Sequence, residues 1–264
     1  MNYNVDSKRL AVETHDDNAL TFKGHYENIR HGDYETAFAF SRSKMQEGFD
    51  KVLGQFPGHA SILDIGCGTG NQIKVIKTSF PDIKGLEPAE GMRIIAQQEN
   101  PDIEIIDGDI THLPYQNNSV DLIYSIEVLR YLEQEDIEKA YREVFRVLKP
   151  GGKFFFTMVN KYSLDMYYPV FQFRNILQSV HLFKQPFHCE FVTPNQVSND
   201  LITVGFKSID TFSRGLGIVH ICYKMNRKCG KLMANVSSFV RPVEKASAMK
   251  LFNSHLMIIA DKNV

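Results

Sequence analysis

Two carboxylates and a run of glycines carry the most legible chemistry in this sequence. Asp64 comes just before Gly66, Gly68 and Gly70, and Glu87 follows 17 positions after the last of them. The stretch from Ala60 to Gly70, A-S-I-L-D-I-G-C-G-T-G, starts as a short apolar run whose β-branched Ile62 and Ile65 suit a buried strand. A helical pattern begins at Asn71. Strand, glycine turn and helix in that order bring unobstructed backbone N–H groups to a positive helix N-terminus, where a polar ligand can sit.

Details of the turn discriminate among ligands. A dinucleotide fingerprint, G-x-G-x-x-G, wants glycine where Asn71 stands, and the phosphate loop's Lys after the last glycine is absent. Asp64 would repel a pyrophosphate lying in the turn and favours a cationic ammonium instead.

The elements that must hold these residues alternate between strand and helix. Strands are expected over 62–65, 83–87, 103–106, 120–126, 153–159, 207–213 and 256–261. Helices are marked by Ile73, Ile76 and Phe80, by Met92, Ile95 and Ala96, and by Ile137, Tyr141, Val144, Phe145 and Leu148. The last of these should stop at Lys149-Pro150-Gly151-Gly152. Thr193, Pro194 and Gln196 form a helix start that closes at Gly205. The expected fold is α/β: a three-layer, Rossmann-like sandwich with a seven-stranded, mostly parallel sheet whose last strand is antiparallel.

Around the core at 60–160 and 193–214 lie three additions. Residues 1–59 read as a helical extension, with Phe38, Met45, Phe49, Val52 and Leu53 at helical spacing and with Tyr26, His31 and Tyr34 placed to fold over a ligand. Residues 161–192 are dense in aromatics, including Tyr167, Tyr168, Phe171, Phe183 and Phe187, and should cap the carboxyl edge of the sheet. Residues 215–253 read as one long amphipathic helix over 218–241, interrupted only by Gly230, with seven Lys or Arg against one Glu. A basic face of this kind can meet an anionic membrane, an acidic partner or an anionic substrate, and a solvated face over a core-packed stripe is the favoured alternative to all three. The last strand lies in 254–264.

Taken together, the motifs resemble those of the class I S-adenosylmethionine-dependent methyltransferases, in particular the ubiquinone and menaquinone biosynthesis enzymes and small-molecule methyltransferases. I-L-D-I-G-C-G-T-G resembles the first motif of that family and G-L-E-P-A-E-G-M its ribose-binding motif. G-D-I at 108–110, L-P-Y at 113–115, V-D-L-I-Y-S at 120–125 and L-K-P-G-G at 148–152 continue the series in order. The resemblance implies that S-adenosyl-L-methionine is held by Asp64, Gly66, Cys67, Gly68, Glu87, Pro88, Met92, Asp109, Ile110 and Ser125. Asp64 would orient the methionine amine, Glu87 the ribose hydroxyls and Asp109 the adenine amino group, with Ile110 completing the adenine pocket.

Methyl transfer from a sulfonium is an in-line displacement, so the protein chiefly aligns its reactants, and a base helps when the acceptor is a hydroxyl or an acidic carbon. His188, Tyr131 and Glu127 are the candidates by type and position, with His181 near the same aromatic segment. Arg130 joins Tyr26, Tyr34, Tyr167, Tyr168 and Phe171 as an expected acceptor contact. Where relatives of this family often carry histidines after the fourth strand, this chain reads Glu127-Val128-Leu129-Arg130-Tyr131-Leu132. The acceptor should be a small, partly apolar or aromatic molecule. The rival readings are a regulatory protein that keeps the cofactor site without chemistry and a nicotinamide-dependent oxidoreductase.

Composition bounds the rest. With 264 residues, 43% of them hydrophobic, one elaborated domain can bury a full core, and a net charge of −1 exerts no overall pull toward nucleic acid. No apolar run reaches membrane-spanning length, so a cytoplasmic protein is expected. Cys67, Cys189, Cys222 and Cys229 form neither a C-x-x-C pair nor a zinc spacing, so reduced thiols and no metal are expected.

Overall fold

The computed structural model describes residues 7–27, 35–164, 166–179, 188–213, 218–239 and 254–263. His31, Tyr34, His181, Phe183, Phe187 and the part of the basic segment beyond residue 239 lie outside the described residues, as does the side chain of Tyr26.

The sheet is built from β1 (Ile62–Ile65), β2 (Ile83–Leu86), β3 (Ile105–Ile106), β4 (Val120–Ser125), β5 (Leu148–Asn160), β6 (Phe191–Val192), β7 (Ser208–Phe212) and β8 (His255–Asp261). Its order is β3-β2-β1-β4-β5-β8-β7, and the two-residue β6 adds a short parallel pairing to the end of β5. The pairings among the first five strands are parallel, whereas β8 runs antiparallel to both β5 and β7. This is the expected architecture with one extra strand. All four residues of β1 are buried, as a strand covered on both faces requires.

The covering helices are α3 (Ala37–Leu53), α4 (Asn71–Ile76) and α5 (Glu90–Glu99) on one side, with α6 (Gln134–Val147) and α8 (Pro194–Val204) on the other. Phe49, Val52, Ile73 and Ala96 share a core with Ile62, Tyr124 and Phe155, while Tyr141, Val144, Val197 and Leu201 share one with Leu63, Ile65 and Phe156. In α6 the buried set Ile137, Ala140, Tyr141, Val144 and Val147 recurs every three or four residues, and Glu135 and Asp136 favour its first turn. The start expected at Thr193 is present: its side chain accepts the Gln196 N–H, with Pro194 in the first turn of α8.

Three expectations change. The segment 1–59 contains two helices beyond the one marked by its apolar spacing: α1 (Ser7–Asp17) and α2 (Ala19–Glu27), which pack on Met92 and Ile95 of α5 through Val12, Ala19 and Phe22. The Lys149-Pro150-Gly151-Gly152 stretch lies inside β5, which absorbs it through a register shift against β4 between Val120 and Leu122. The basic segment is a pair of helices, α9 (Ile218–Met225) and α10 (Arg227–Phe239), broken at Asn226 and not at Gly230. Asn226 accepts the Lys228 N–H through its side chain, while Gly230 makes room for the Tyr223 ring, which a Cβ there would approach to 2.3 Å. The aromatic segment contains α7 (Tyr167–Ser179).

Candidate functional site

The strand order reverses between β1 and β4, and the crevice at such a reversal is where open α/β sheets hold ligands. A cavity of about 440 Å³ occupies it here, with Gly66 and Gly68 from the turn after β1, Glu87 and Pro88 after β2, Gly108 to Ile110 after β3, and Ile126 to Val128 after β4 among its walls.

The turn keeps its shape by backbone geometry. Gly66 and Gly68 have φ of 70° and 56°, in the left-handed region that favours glycine. The Gly66 and Cys67 N–H groups both donate to the Leu86 carbonyl, at 2.7 and 3.2 Å. A Cβ on Gly66 would stand 2.3 Å from Val128 Cγ2, whereas one on Gly68 would meet no protein atom within 4 Å. Gly66 is therefore a packing requirement, and Gly68 leaves space on the cavity wall.

Glu87 ties the turn to the next strand. One carboxylate oxygen accepts the Gly68 N–H at 2.8 Å and the other the Ala89 N–H at 3.0 Å. Burial raises its pKa, and those two N–H groups work against the rise. Each oxygen keeps a lone pair for a further donor. Asp64 is also buried; burial pushes it up to about 7, with the Tyr124 hydroxyl lowering it and the Glu87 charge raising it further. A buried carboxylate held near neutrality gains from a cation placed beside it.

Beyond the turn the wall becomes a polar cluster. Glu127 has φ of 64°, outside the usual range for a non-glycine residue. Its N–H donates to Thr157 Oγ1 at 2.8 Å, and the Thr157 hydroxyl donates back to Glu127 Oε1 at 3.0 Å. Arg130 Nη1 donates to Glu127 Oε2 at 2.7 Å, and His255 Nε2 lies 3.5 Å from the same oxygen. Burial alone would raise Glu127, but His255 and Arg130 hold it well below the ordinary carboxylate range. Arg42, Ser41 and Met45 of α3 and His220 of α9 face the same space.

The α1 helix covers the cavity with Lys8, Ala11, Val12 and His15. Lys8 pairs with Asp109 at 2.8 Å, and Asp109 also accepts the Thr111 N–H at 2.7 Å. Burial raises Asp109, yet Lys8 and Thr111 hold it below its ordinary value. The His15 ring stacks on Phe22 at 4.8 Å and meets the edge of Tyr131 at 5.3 Å.

Comparison with known proteins decides the family of this arrangement. A family described as a methyltransferase domain matches residues 63–156, which run from β1 into β5. An uncharacterized methyltransferase of Oceanobacillus iheyensis is 32% identical over 111 residues, covering 41% of this chain and 52% of the relative. The ubiquinone/menaquinone biosynthesis C-methyltransferase of Campylobacter jejuni is 28% identical over 187 residues, covering 62% of this chain and 78% of the relative. Residues 63–156 carry a methyltransferase domain of the class I S-adenosylmethionine-dependent type.

The fold of the methyltransferase domain extends beyond that match. Phosphoethanolamine N-methyltransferase 2 of Haemonchus contortus, solved with S-adenosyl-L-methionine, superposes with a TM-score of 0.66 at 14% identity, over 99% of this chain and 61% of that one. The chain spans about half the length of the curated relatives it matches first.

The donor set of the methyltransferase domain fits S-adenosyl-L-methionine. Glu87 offers two acceptors for a ribose diol, Asp64 offers negative charge for an ammonium, and Pro88, Met92 and Ile110 line an apolar wall for a flat base. The open space at Gly68 admits the ligand close to the backbone. Of the residues expected to hold the cofactor, Gly66, Gly68, Glu87, Pro88, Met92, Asp109 and Ile110 line the cavity. Asp64, Cys67 and Ser125 lie behind that wall: the Ser125 hydroxyl donates to the Ile65 carbonyl at 3.1 Å, and burial pushes the Cys67 thiol well up.

The acceptor side of the methyltransferase domain departs more from expectation. Glu127, Arg130 and Tyr131 line the cavity, but His188 does not. It sits instead between Glu133 at 3.5 Å and Glu190 at 3.4 Å, and Glu190 raises its pKa. Tyr167, Tyr168 and Phe171 pack around Phe191, with ring centroids 5.1 to 5.3 Å from it, and form a small core of their own. The tilted and edge-on ring pairs account for this packing, because such pairs add to the area that the rings bury. Tyr167 touches the site only indirectly, its hydroxyl accepting Arg130 Nη2 at 3.2 Å. Sequence reasoning missed Lys8, His15, Arg42, His220 and His255. None falls in a motif, and only the position of His255 at the carboxyl edge of the sheet could have signalled it.

Proposed function

We propose that this chain transfers the methyl group of S-adenosyl-L-methionine to a small, partly apolar or aromatic acceptor. The observation that supports the reading is a cavity lined both by Glu87 and the glycine turn and by Glu127, Arg130 and Tyr131. When bound, the cofactor supplies an activated methyl group and leaves as S-adenosyl-L-homocysteine. The protein's own task is placement. Glu87 takes the ribose, Asp64 acts on the methionine amine from behind the turn, and Gly108 to Ile110 border the base. Asp109, already engaged by Lys8 and Thr111, holds α1 over that end and keeps a lone pair for the adenine amino group.

The mixture of Phe38, Met45, Ile126 and Val128 with a few polar groups among the cavity's lining suits an acceptor with an apolar body and one reacting atom. The test is release of S-adenosyl-L-homocysteine by the full chain against separate pools of phenols, amines, quinones and lipids. Turnover with one pool supports the reading. Cofactor binding without turnover on any pool supports the regulatory alternative.

A further element of this reading is peripheral contact of α9 and α10 with an anionic membrane surface. Met225 and Leu232 are exposed by 75% and 64%, close in sequence to the exposed cations Lys224 and Lys228. Among the described residues no helix is long and apolar enough to cross a membrane. Sedimentation with phosphatidylserine vesicles and with neutral vesicles separates contact from its absence.

A further inference from the structure

His255 is the first residue of β8 and faces Val159 near the end of β5, which puts it at the carboxyl edge of the sheet. Glu127 follows β4 at the same edge. The two side chains meet in the cavity wall, Nε2 to Oε2 at 3.5 Å, and Glu127 is prevented from turning away by Thr157 on one oxygen and Arg130 on the other. A backbone held at φ of 64° for this one residue indicates that its placement is maintained against local preference.

We propose that His255 is the proton acceptor of the methyl-transfer reaction and that Glu127 is its positioning residue, so that the acceptor is a molecule methylated at an atom bearing an acidic hydrogen, of which a phenolic hydroxyl is the type. This rests on the methyltransferase reading. An Nε2–H directed at Glu127 fixes the tautomer and leaves the Nδ1 lone pair as the basic site, as in other carboxylate–histidine pairs. Their separation is long for a hydrogen bond, as such pairs often are before substrate binds. The step balances: the acceptor's O–H bond breaks as its O–C bond forms, the proton passes to His255, and the electrons of the broken S–C bond remain on sulfur. Glu127 stays ionised and offsets the imidazolium charge.

The two other histidines on the cavity wall are committed elsewhere. His220 has Ser41 Oγ 2.7 Å from Nε2 and Ser254 Oγ 3.4 Å from Nδ1. His15 Nδ1 lies 2.7 Å from the Ala11 carbonyl, and its ring is stacked. The charged and titratable groups that line the cavity with His255 are Lys8, His15, Arg42, Glu87, Asp109, Glu127, Arg130, Tyr131 and His220.

The test uses the full chain, and two readouts separate its outcomes. In the first, the ring nitrogens of histidine-labelled protein are observed by NMR, with His255 assigned from His255→Gln. The neutral His255 ring should carry its hydrogen on Nε2 and lose that preference in Glu127→Gln, and a tautomer unchanged by the substitution overturns the pairing. In the second, turnover is measured on the best acceptor from a panel of phenols. His255→Ala should lower kcat by about 100-fold or more, remove the acidic limb of its pH profile and be partly rescued by added imidazole, with cofactor affinity by calorimetry retained. Wild-type-like kcat in His255→Ala, or turnover only with acceptors lacking an acidic hydrogen, overturns the proposal while leaving methyl transfer intact. Absence of cofactor binding in the wild type would instead remove the methyl-transfer reading itself.

Discussion

Glu87 accepts the backbone N–H of Gly68 at 2.8 Å, so the residue that follows β2 holds the turn that follows β1. The carboxylate read from the sequence as a ligand group is also a structural brace. A ribose contact added to that brace predicts a double effect of Glu87→Gln. The amide can accept one of the two N–H groups but confronts the other with its own donor, which should cost about 1–2 kcal/mol of stability. Loss of charge-assisted bonds to the ribose should weaken cofactor binding by about 10- to 100-fold. Thermal unfolding and calorimetry read the two effects separately.

Alanine at the two glycines should separate packing from ligand access. Gly66→Ala must place a Cβ on Val128 as well as adopt a left-handed backbone, so its stability loss should exceed that of Gly68→Ala. The Gly68 variant should lose about 1–2 kcal/mol from the backbone conformation alone. Its Cβ projects into open space on the cavity wall, so cofactor affinity should fall further than stability does. Melting temperatures and binding isotherms of both variants check the ordering.

The proposed contact of Asp64 with the methionine amine should make cofactor affinity depend on pH. Its folded-state pKa is raised to about 7, above the unfolded value, so the proton stabilises the folded chain at low pH. That contribution is lost as pH rises from the ordinary carboxylate range through about 7. The same ionisation creates the charge that attracts an ammonium group. Affinity for S-adenosyl-L-homocysteine, which keeps the amine, should therefore rise about tenfold between pH 6 and 8 and flatten in Asp64→Asn.

The Lys8–Asp109 pair should govern how long the ligand stays. Both side chains are about 30% exposed, so the pair contributes little to global stability. It nevertheless fastens α1 across the cavity. Lys8→Ala should leave the melting temperature nearly unchanged and increase the cofactor dissociation rate several-fold in stopped-flow displacement.

The parts of the fold that were legible in the sequence are those written in local pattern. The strand at 62–65, the glycine turn and Glu87 fall within one short stretch, and the parallel sheet follows from strand and helix in alternation. What was not legible depends on contacts distant in sequence. Glu127 and His255 meet only because β8 enters beside β5, and no spacing announces that. The α1 helix buries little beyond Ala11, so it has no apolar stripe to find. Gly230 looked like the break in the basic helix because glycine weakens helices, but its missing side chain serves the Tyr223 ring and the break falls at Asn226. The aromatic segment was read as a ligand cap from its composition and its place after the fifth strand, neither of which reveals that its rings pack around Phe191.

The central claim is that the cavity at the β1–β4 reversal is a cofactor site selected by carboxylates. Isothermal titration of the full chain with S-adenosyl-L-homocysteine and, separately, with NAD tests it most directly. One equivalent of S-adenosyl-L-homocysteine should bind, with affinity reduced in Glu87→Gln, and NAD should give no heat of binding. Binding of NAD in its place, or binding of S-adenosyl-L-homocysteine indifferent to Glu87→Gln, would contradict the account.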